Sequence, residues 1–297
     1  MVPDFLCIGA QKAGTSWLQY HLREHPQIWL PPFKEIHYFD DLDRSSHLRN
    51  LILRRGQYLR SLHKLGQIPL ERGLIRDLFW FMKYFVMPRT NRWYQSLFQP
   101  KAGQIAGELT PAYARLTPEL ISEVYKFNPE LKLIYVLRNP IDRTISQLKM
   151  QMSRKSVFDE DRDLPDKERL EAYMKIPQLF ANGDYLTNLS NWQTVFPENQ
   201  ILVLFFEEMS ASPTEYLKKI LDFLEVNSSF RFDGSDLSTK MNGYDYLIPD
   251  EVVRRVNIHW HDKIIEMHTQ FNNKYTAQWL EDVNMSLANT SQNNNER

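Results

Sequence analysis

Two hydrophobic rhythms share this chain. Short continuous apolar runs at Phe5–Ile8, Gln104–Leu109, Leu131–Leu137 and Gln200–Phe206 read as buried strands. Amphipathic stretches over Ser16–Glu24, Leu48–Leu65, Leu74–Met87, Pro118–Phe127, Gly183–Phe196 and Pro213–Leu224 read as helices, as do Pro140–Met152 and the residues from Pro249 to about Leu280. Residues Lys34 to Asp40 alternate instead. Ile36 and Tyr38 fall on one face and Glu35, His37 and Phe39 on the other, which predicts a short strand or extended loop projecting Glu35 and His37 together. Asp159–Arg169 reads as a charge-dense loop and 227–248 as irregular. One domain is expected over 1–285, and the Asn-rich residues of 286–297 read as a disordered tail.

Strands separated by helices predict an α/β fold, a central parallel sheet flanked by helices with right-handed crossovers. A helical insertion at about 44–101 and a helical C-terminus complete it. Ligands of such sheets bind beyond the carboxyl ends of the strands, where Lys12, Glu35, Thr110 and Arg138 are expected to converge. The first strand passes through Gly9 and Gly14 into a helix start, with Lys12 in the loop and the hydroxyls of Thr15 and Ser16 where the helix begins. That turn gathers free backbone N–H groups and the positive end of a helix dipole, a site for phosphate or sulfate. The glycine spacing is that of a Walker A loop, so the sheet is P-loop-like. A Walker A loop, however, needs Lys directly after its second Gly, and Thr15 stands there. The third strand repeats the layout: Arg138 at its end, then Pro140 opening a helix that carries Ser146.

Composition adds limits. Charged residues make up 25 % of the 297, with 36 Lys+Arg against 37 Asp+Glu, so nothing global draws the chain to nucleic acid. The charge is unevenly placed: 44–101 holds twelve Lys and Arg against Glu71 and Asp77, interleaved with aromatic residues. This basic, aromatic segment is expected to shape an acceptor pocket, with Trp80, Tyr84 and Trp93 lining it together with Tyr113. Cys7 is the only cysteine, which excludes internal disulfides and cysteine-based zinc sites. No apolar run reaches the ~18 residues of a membrane span, and a cytoplasmic location is expected.

Taken together these motifs resemble the sulfotransferase family that uses 3'-phosphoadenosine 5'-phosphosulfate. Gln11 to Leu18 is similar to its loop for the donor's 5'-phosphosulfate, and Arg138 with Ser146 eight residues on is similar to its 3'-phosphate motif. Lys34–Asp40 and Glu108–Tyr113 resemble the Glu-x-His-Phe-Phe and Glu-Lys-Thr-Pro-x-Tyr segments of its heparan sulfate branch. The resemblance covers residues 4 to about 248. It departs at Leu109 and Asn242, where the glycan enzymes carry Lys, and this favours a small-molecule acceptor over a heparan-like one. It implies that Gln11, Lys12, Ala13, Gly14, Thr15 and Ser16 bind the phosphosulfate, that Trp17 lies against adenine, and that Asn242, Gly243 and Tyr244 complete the donor site. Lys12 would offset charge on the departing phosphate, with no metal. Glu35 would be the general base, with His37 the alternative because an ordinary imidazole titrates near neutral pH. A nucleotide kinase and a basic, non-catalytic binding protein are the competing readings.

Overall fold

A computed structural model describes residues 1–42, 74–153, 164–232, 236–238 and 243–295, of which 74–78 and 289–295 are described by backbone alone. Its five strands are β1 (Phe5–Gly9), β2 (Ile28–Trp29), β3 (Ile105–Leu109), β4 (Lys132–Leu137) and β5 (Ile201–Phe205). They form one parallel sheet in the order β2-β3-β1-β4-β5. Strand β1 is buried along its whole length, as a central strand covered on both faces must be. Four strands answer to the apolar runs of the sequence. The fifth, β2, is only two residues long, too short to leave a pattern.

The helices follow the strands. After β1 comes α1 (Thr15–Leu22), and between β2 and β3 lie α2 (Leu74–Val86) and α3 (Asn91–Ser96), the described part of the insertion. Thr90 caps α3 by accepting from the Trp93 amide. Next come α4 (Pro118–Phe127), α5 (Pro140–Ser153), α6 (Asp166–Met174), α7 (Pro177–Ala181) and α8 (Tyr185–Gln193). After β5 the chain forms α9 (Phe206–Ala211), α10 (Pro213–Phe223), α11 (Asp250–Phe271) and α12 (Lys274–Asn295). Pro118, Pro140, Pro177 and Pro213 each open a helix, where a missing N–H costs no bond.

Three expectations are corrected. Residues 34–38 form no strand: Glu35 and His37 take left-handed φ values of 64° and 56°, and a 3₁₀ turn follows at Phe39–Asp41. Ile36 and Tyr38 are buried as the alternation requires, but Phe39 is buried too and does not share the face of Glu35 and His37. The charge-dense stretch ends inside α6, whose buried Leu170, Tyr173 and Met174 dock it. Arg169 is buried there, donating to the Met152 carbonyl and pairing with Asp166 at 3.2 Å. Lastly, α12 continues from its packed residues Trp279 and Val283 past position 286 to Asn295. The helix expected at Leu48–Leu65 lies outside the described residues, and among those described no helix is long and apolar enough to cross a membrane.

Candidate active site

Strand β1 lies between β3 and β4, so the loops leaving these neighbours open a crevice at their carboxyl ends. The loop after β1 runs from Ala10 to Gly14, with left-handed φ at Lys12 (71°) and Gly14 (83°). Any side chain at Gly14 would also stand 2.7 Å from Met209 Cε. The left-handed φ is what favours glycine there, since the methionine tip could shift. Helix α1 then begins at Thr15 with no side-chain cap and no acidic residue in its first turn, so its leading amides remain available to an anion.

Arg138, just past β4, reaches across to this loop. Its Nη1 donates to the Lys12 carbonyl at 2.9 Å, its guanidinium lies 4.6 Å from the Phe206 ring, and its own carbonyl accepts from Tyr185 Oη at 2.7 Å. The loop and the arginine are thus one unit. Lys12 Nζ lies 4.6 Å from the centre of the Tyr244 ring and 3.9 Å from Met150 Sδ. Gln11 is held from below, its Oε1 accepting from Asn182 Nδ2 at 2.9 Å; that amide also donates to Gln147 Oε1, the acceptor of buried Arg143. Ser146 is half-buried on α5, two turns into the helix that Pro140 opens. Gly243 is exposed and Tyr244 half-buried, while Asn242 lies outside the described residues. Trp17 is the residue expected to lie against adenine. It is buried, its ring packs at 4.3 Å from His21 and 6.4 Å from Tyr216, and its indole donates to the Leu237 carbonyl.

Glu35 and His37 do project together. His37 Nε2 is 3.4 Å from Glu35 Oε2, and His37 Nδ1 is 2.7 Å from Asp40 Oδ2. Burial alone would push both groups toward their neutral forms, but the mutual bond and the flanking charges outweigh it. Glu35, beside His37 and Lys34, falls to about 2, and His37, between Asp40 and Glu35, rises to about 10. At neutral pH the pair is a carboxylate and an imidazolium. Lys34 Nζ stands 3.4 Å from Glu35 Oε1 and donates to Thr15 Oγ1 and Ser16 Oγ, each at 3.0 Å.

The unusual backbone of this segment is gripped from two directions. From β3, buried Glu108 accepts from the Ile36 amide at 3.3 Å, from Tyr94 Oη at 2.6 Å, Thr110 Oγ1 at 2.9 Å and Tyr113 Oη at 3.0 Å. Tyr113 Oη in turn accepts from the Tyr38 amide at 2.8 Å. Burial raises the Glu108 pKa, and the four donors partly restore its charged form. From the insertion, Arg89 donates to the carbonyls of Ile36 at 2.7 Å and His37 at 2.8 Å and pairs with Asp41.

The expected acceptor-pocket aromatics lie elsewhere. Trp80, Tyr84, Trp93 and Tyr113 are all buried: Trp80 stacks on Tyr84, and the indoles of Trp80 and Trp93 donate to the carbonyls of Leu97 and Lys83. They are the packed core that holds α2 and α3 against the 33–41 segment, through contacts such as Tyr84 on Phe33. Sequence reasoning also passed over Lys34, Asp40 and Arg89. Lys34 and Asp40 flank the Glu35–His37 pair within one heptapeptide, a signal that was available; Arg89 is some fifty residues away and left none.

Comparison with known proteins places this geometry. The chain is 27 % identical over 222 residues to heparan sulfate glucosamine 3-O-sulfotransferase 6 of Mus musculus, covering 75 % of this chain and 52 % of that protein. It is 25 % identical over 254 residues to the bifunctional heparan sulfate N-deacetylase/N-sulfotransferase 2 of Bos taurus, covering 78 % of this chain and 24 % of that one. It therefore spans about half the length, or less, of these curated relatives. A sulfotransferase from Alicyclobacillus acidocaldarius has the same fold, with a TM-score of 0.61 at 23 % identity over 94 % of this chain and 99 % of that one. The sulfotransferase domain family matches residues 2–282, from before β1 into α12, and the chain belongs to that family.

Proposed function

We propose that this enzyme moves the sulfuryl group of 3'-phosphoadenosine 5'-phosphosulfate to a hydroxyl or amine of a small metabolite, with Glu35 as the general base. The observation that carries the reading is the ionised Glu35, held by His37 and Lys34 beside the hydroxyls that open α1. The residues fit such a donor. Helix α1 presents uncapped amides, and Arg138 Nε is buried with no partner among the described residues. The amides of 12–16 with Lys12, Thr15 and Ser16 would hold the 5'-phosphosulfate, Arg138 and Ser146 the 3'-phosphate, and Gly243 and Tyr244 would lie alongside.

Bound there, the donor supplies an activated sulfuryl group whose phosphate leaves as an anion. Lys12 would neutralise that anion, and Glu35 would accept the proton of the attacking hydroxyl. His37 keeps its proton and, anchored by Asp40, fixes the carboxylate. A small acceptor is supported by two observations. Leu109 is buried in β3 where the glycan branch has a lysine, and Arg89 is engaged with backbone carbonyls and Asp41. The names of the relatives favour a second reading, in which the acceptor is a saccharide.

The test has two arms. Thermal shift should respond to 3'-phosphoadenosine 5'-phosphate and not to ATP with magnesium; the reverse pattern would restore the kinase, and no response to either would favour a binding protein. Donor labelled with ³⁵S is then offered to a panel of small phenols, alcohols and amines and, separately, to heparosan-derived oligosaccharides. Label in the oligosaccharides alone would replace the small-molecule acceptor with a glycan.

A further inference from the structure

Lys34 joins the two halves of the site. All three of its N–H donors are directed at groups with functional roles in the reading above: Thr15 Oγ1 and Ser16 Oγ at 3.0 Å, and Glu35 Oε1 at 3.4 Å. A hydroxyl that accepts from an ammonium turns its own proton elsewhere. Lys34 therefore orients Thr15 and Ser16 as donors toward whatever the loop holds. It is half-buried, its side chain 22 % exposed, so it is partly screened from water.

We infer that Lys34 is a second catalytic cation, contacting the sulfuryl oxygens during transfer, in addition to Lys12 on the leaving phosphate. The inference rests on the sulfotransfer reading and follows from its geometry. In-line transfer places the sulfur between the leaving oxygen, held by the loop, and the acceptor oxygen, whose proton faces Glu35. Lys34 is in contact with both the loop and Glu35, so its ammonium flanks the path between them. The acceptor oxygen forms its bond to sulfur while the bond from sulfur to the bridging phosphate oxygen breaks. The bonding pair leaves with the phosphate, and the acceptor's proton passes to Glu35. Lys34 stays protonated throughout. As the arriving proton neutralises Glu35, the ammonium loses its ion-pair partner and its charge turns to the sulfuryl oxygens, which makes the contact stronger in the transition state than before it.

The experiment compares Lys34→Met, which keeps length and removes charge, with Lys34→Arg and Lys12→Met. Calorimetry measures the Kd for 3'-phosphoadenosine 5'-phosphate, which lacks the sulfuryl group. Transfer is followed with labelled donor, both to the acceptor found in the panel and to water as released sulfate. Lys34→Met should leave that Kd within about threefold and lower kcat by about 10²–10³-fold, the span for one preorganised donor at a transition state. Lys34→Arg should recover part of the rate, and Lys12→Met should lose both affinity and rate. A Lys34→Met kcat within threefold of wild type would overturn the inference. So would a Kd that worsens as much as the rate, which would make Lys34 only a support for the loop. Failure of the sulfotransfer reading itself looks different: the unaltered protein would neither bind the nucleotide nor release label.

Discussion

The pH dependence of transfer separates Glu35 from His37 as the base. With Asp40 on one ring nitrogen and Glu35 on the other, His37 holds its proton up to about pH 10. At pH 7.5 the neutral imidazole would then be about 0.3 % of the population, and a mechanism that needed it would carry about 3.4 kcal/mol of extra barrier. Water reaches about a third of this side chain, 34 % of it being exposed, and screens both pairs. That screening moves the value back toward the ordinary imidazole range without reaching it, so the charged form still predominates. Glu35, pulled down to about 2, is fully ionised over the same range. So weak a base receives its proton late, when the sulfur–oxygen bond is largely formed and the acceptor oxygen has become acidic. Initial rates of ³⁵S transfer at saturating donor should therefore be flat from about pH 5 to 8.5, and Glu35→Gln should lower kcat about 10²–10⁴-fold, or roughly 3–5 kcal/mol. A tenfold rise in rate per pH unit between 7 and 9, or a larger loss in His37→Asn than in Glu35→Gln, would refute the assignment.

Lys12→Ala should lower kcat by more than about 10²-fold and weaken nucleotide binding, because its contact strengthens in the transition state; Arg138→Ala should raise the Kd for 3'-phosphoadenosine 5'-phosphate about tenfold or more with kcat at saturation little changed. Glu108→Ala strands four buried donors, a loss of about 3–5 kcal/mol at roughly 1 kcal/mol or more for each, so calorimetric Tm should fall on the order of 10 °C. Because its folded pKa is raised, the stability that His37 contributes is fully present below about 6.5 and is lost as pH rises through about 10. The Tm gap between wild type and His37→Gln should accordingly be wide at pH 6 and closed by pH 10.5. Chelator should leave transfer unchanged, since Lys12, Lys34 and the α1 amides supply the compensating charge; strict magnesium dependence would contradict this.

The sheet was legible because four of its strands are long enough to be written as unbroken apolar runs, whereas two-residue β2 is held by its neighbour β3 and by no pattern of its own. Spacing marked the Ala10–Gly14 loop and Arg138, which the structure joins at the Lys12 carbonyl, because glycine and proline mark the backbone turns there. Glu35 and His37 were paired correctly for a wrong reason: two left-handed residues, not a strand, turn them to the same side. That conformation is imposed by Glu108, Tyr113 and Arg89, which come from distant parts of the chain, and no local window contains it. The aromatic run of α2 misled in the opposite direction, because a stripe of Trp and Tyr at helical spacing reads the same whether it faces a ligand or a core.

The grip of Arg89 on the carbonyls of Ile36 and His37 bears on how such an enzyme can be re-engineered. An insertion between two strands invites treatment as a cassette, to be exchanged between relatives while the sheet stays fixed. Here the cassette also carries the clasp that holds Glu35 and His37 in their left-handed turn. On the mechanism proposed above, a chimera that imports a foreign segment without an arginine at this place would keep its nucleotide site and lose its chemistry, whatever acceptor the new segment was chosen to admit. A graft that retains residues 89–94, with Trp93 beneath the guanidinium and Tyr94 on Glu108, carries that clasp along with its support.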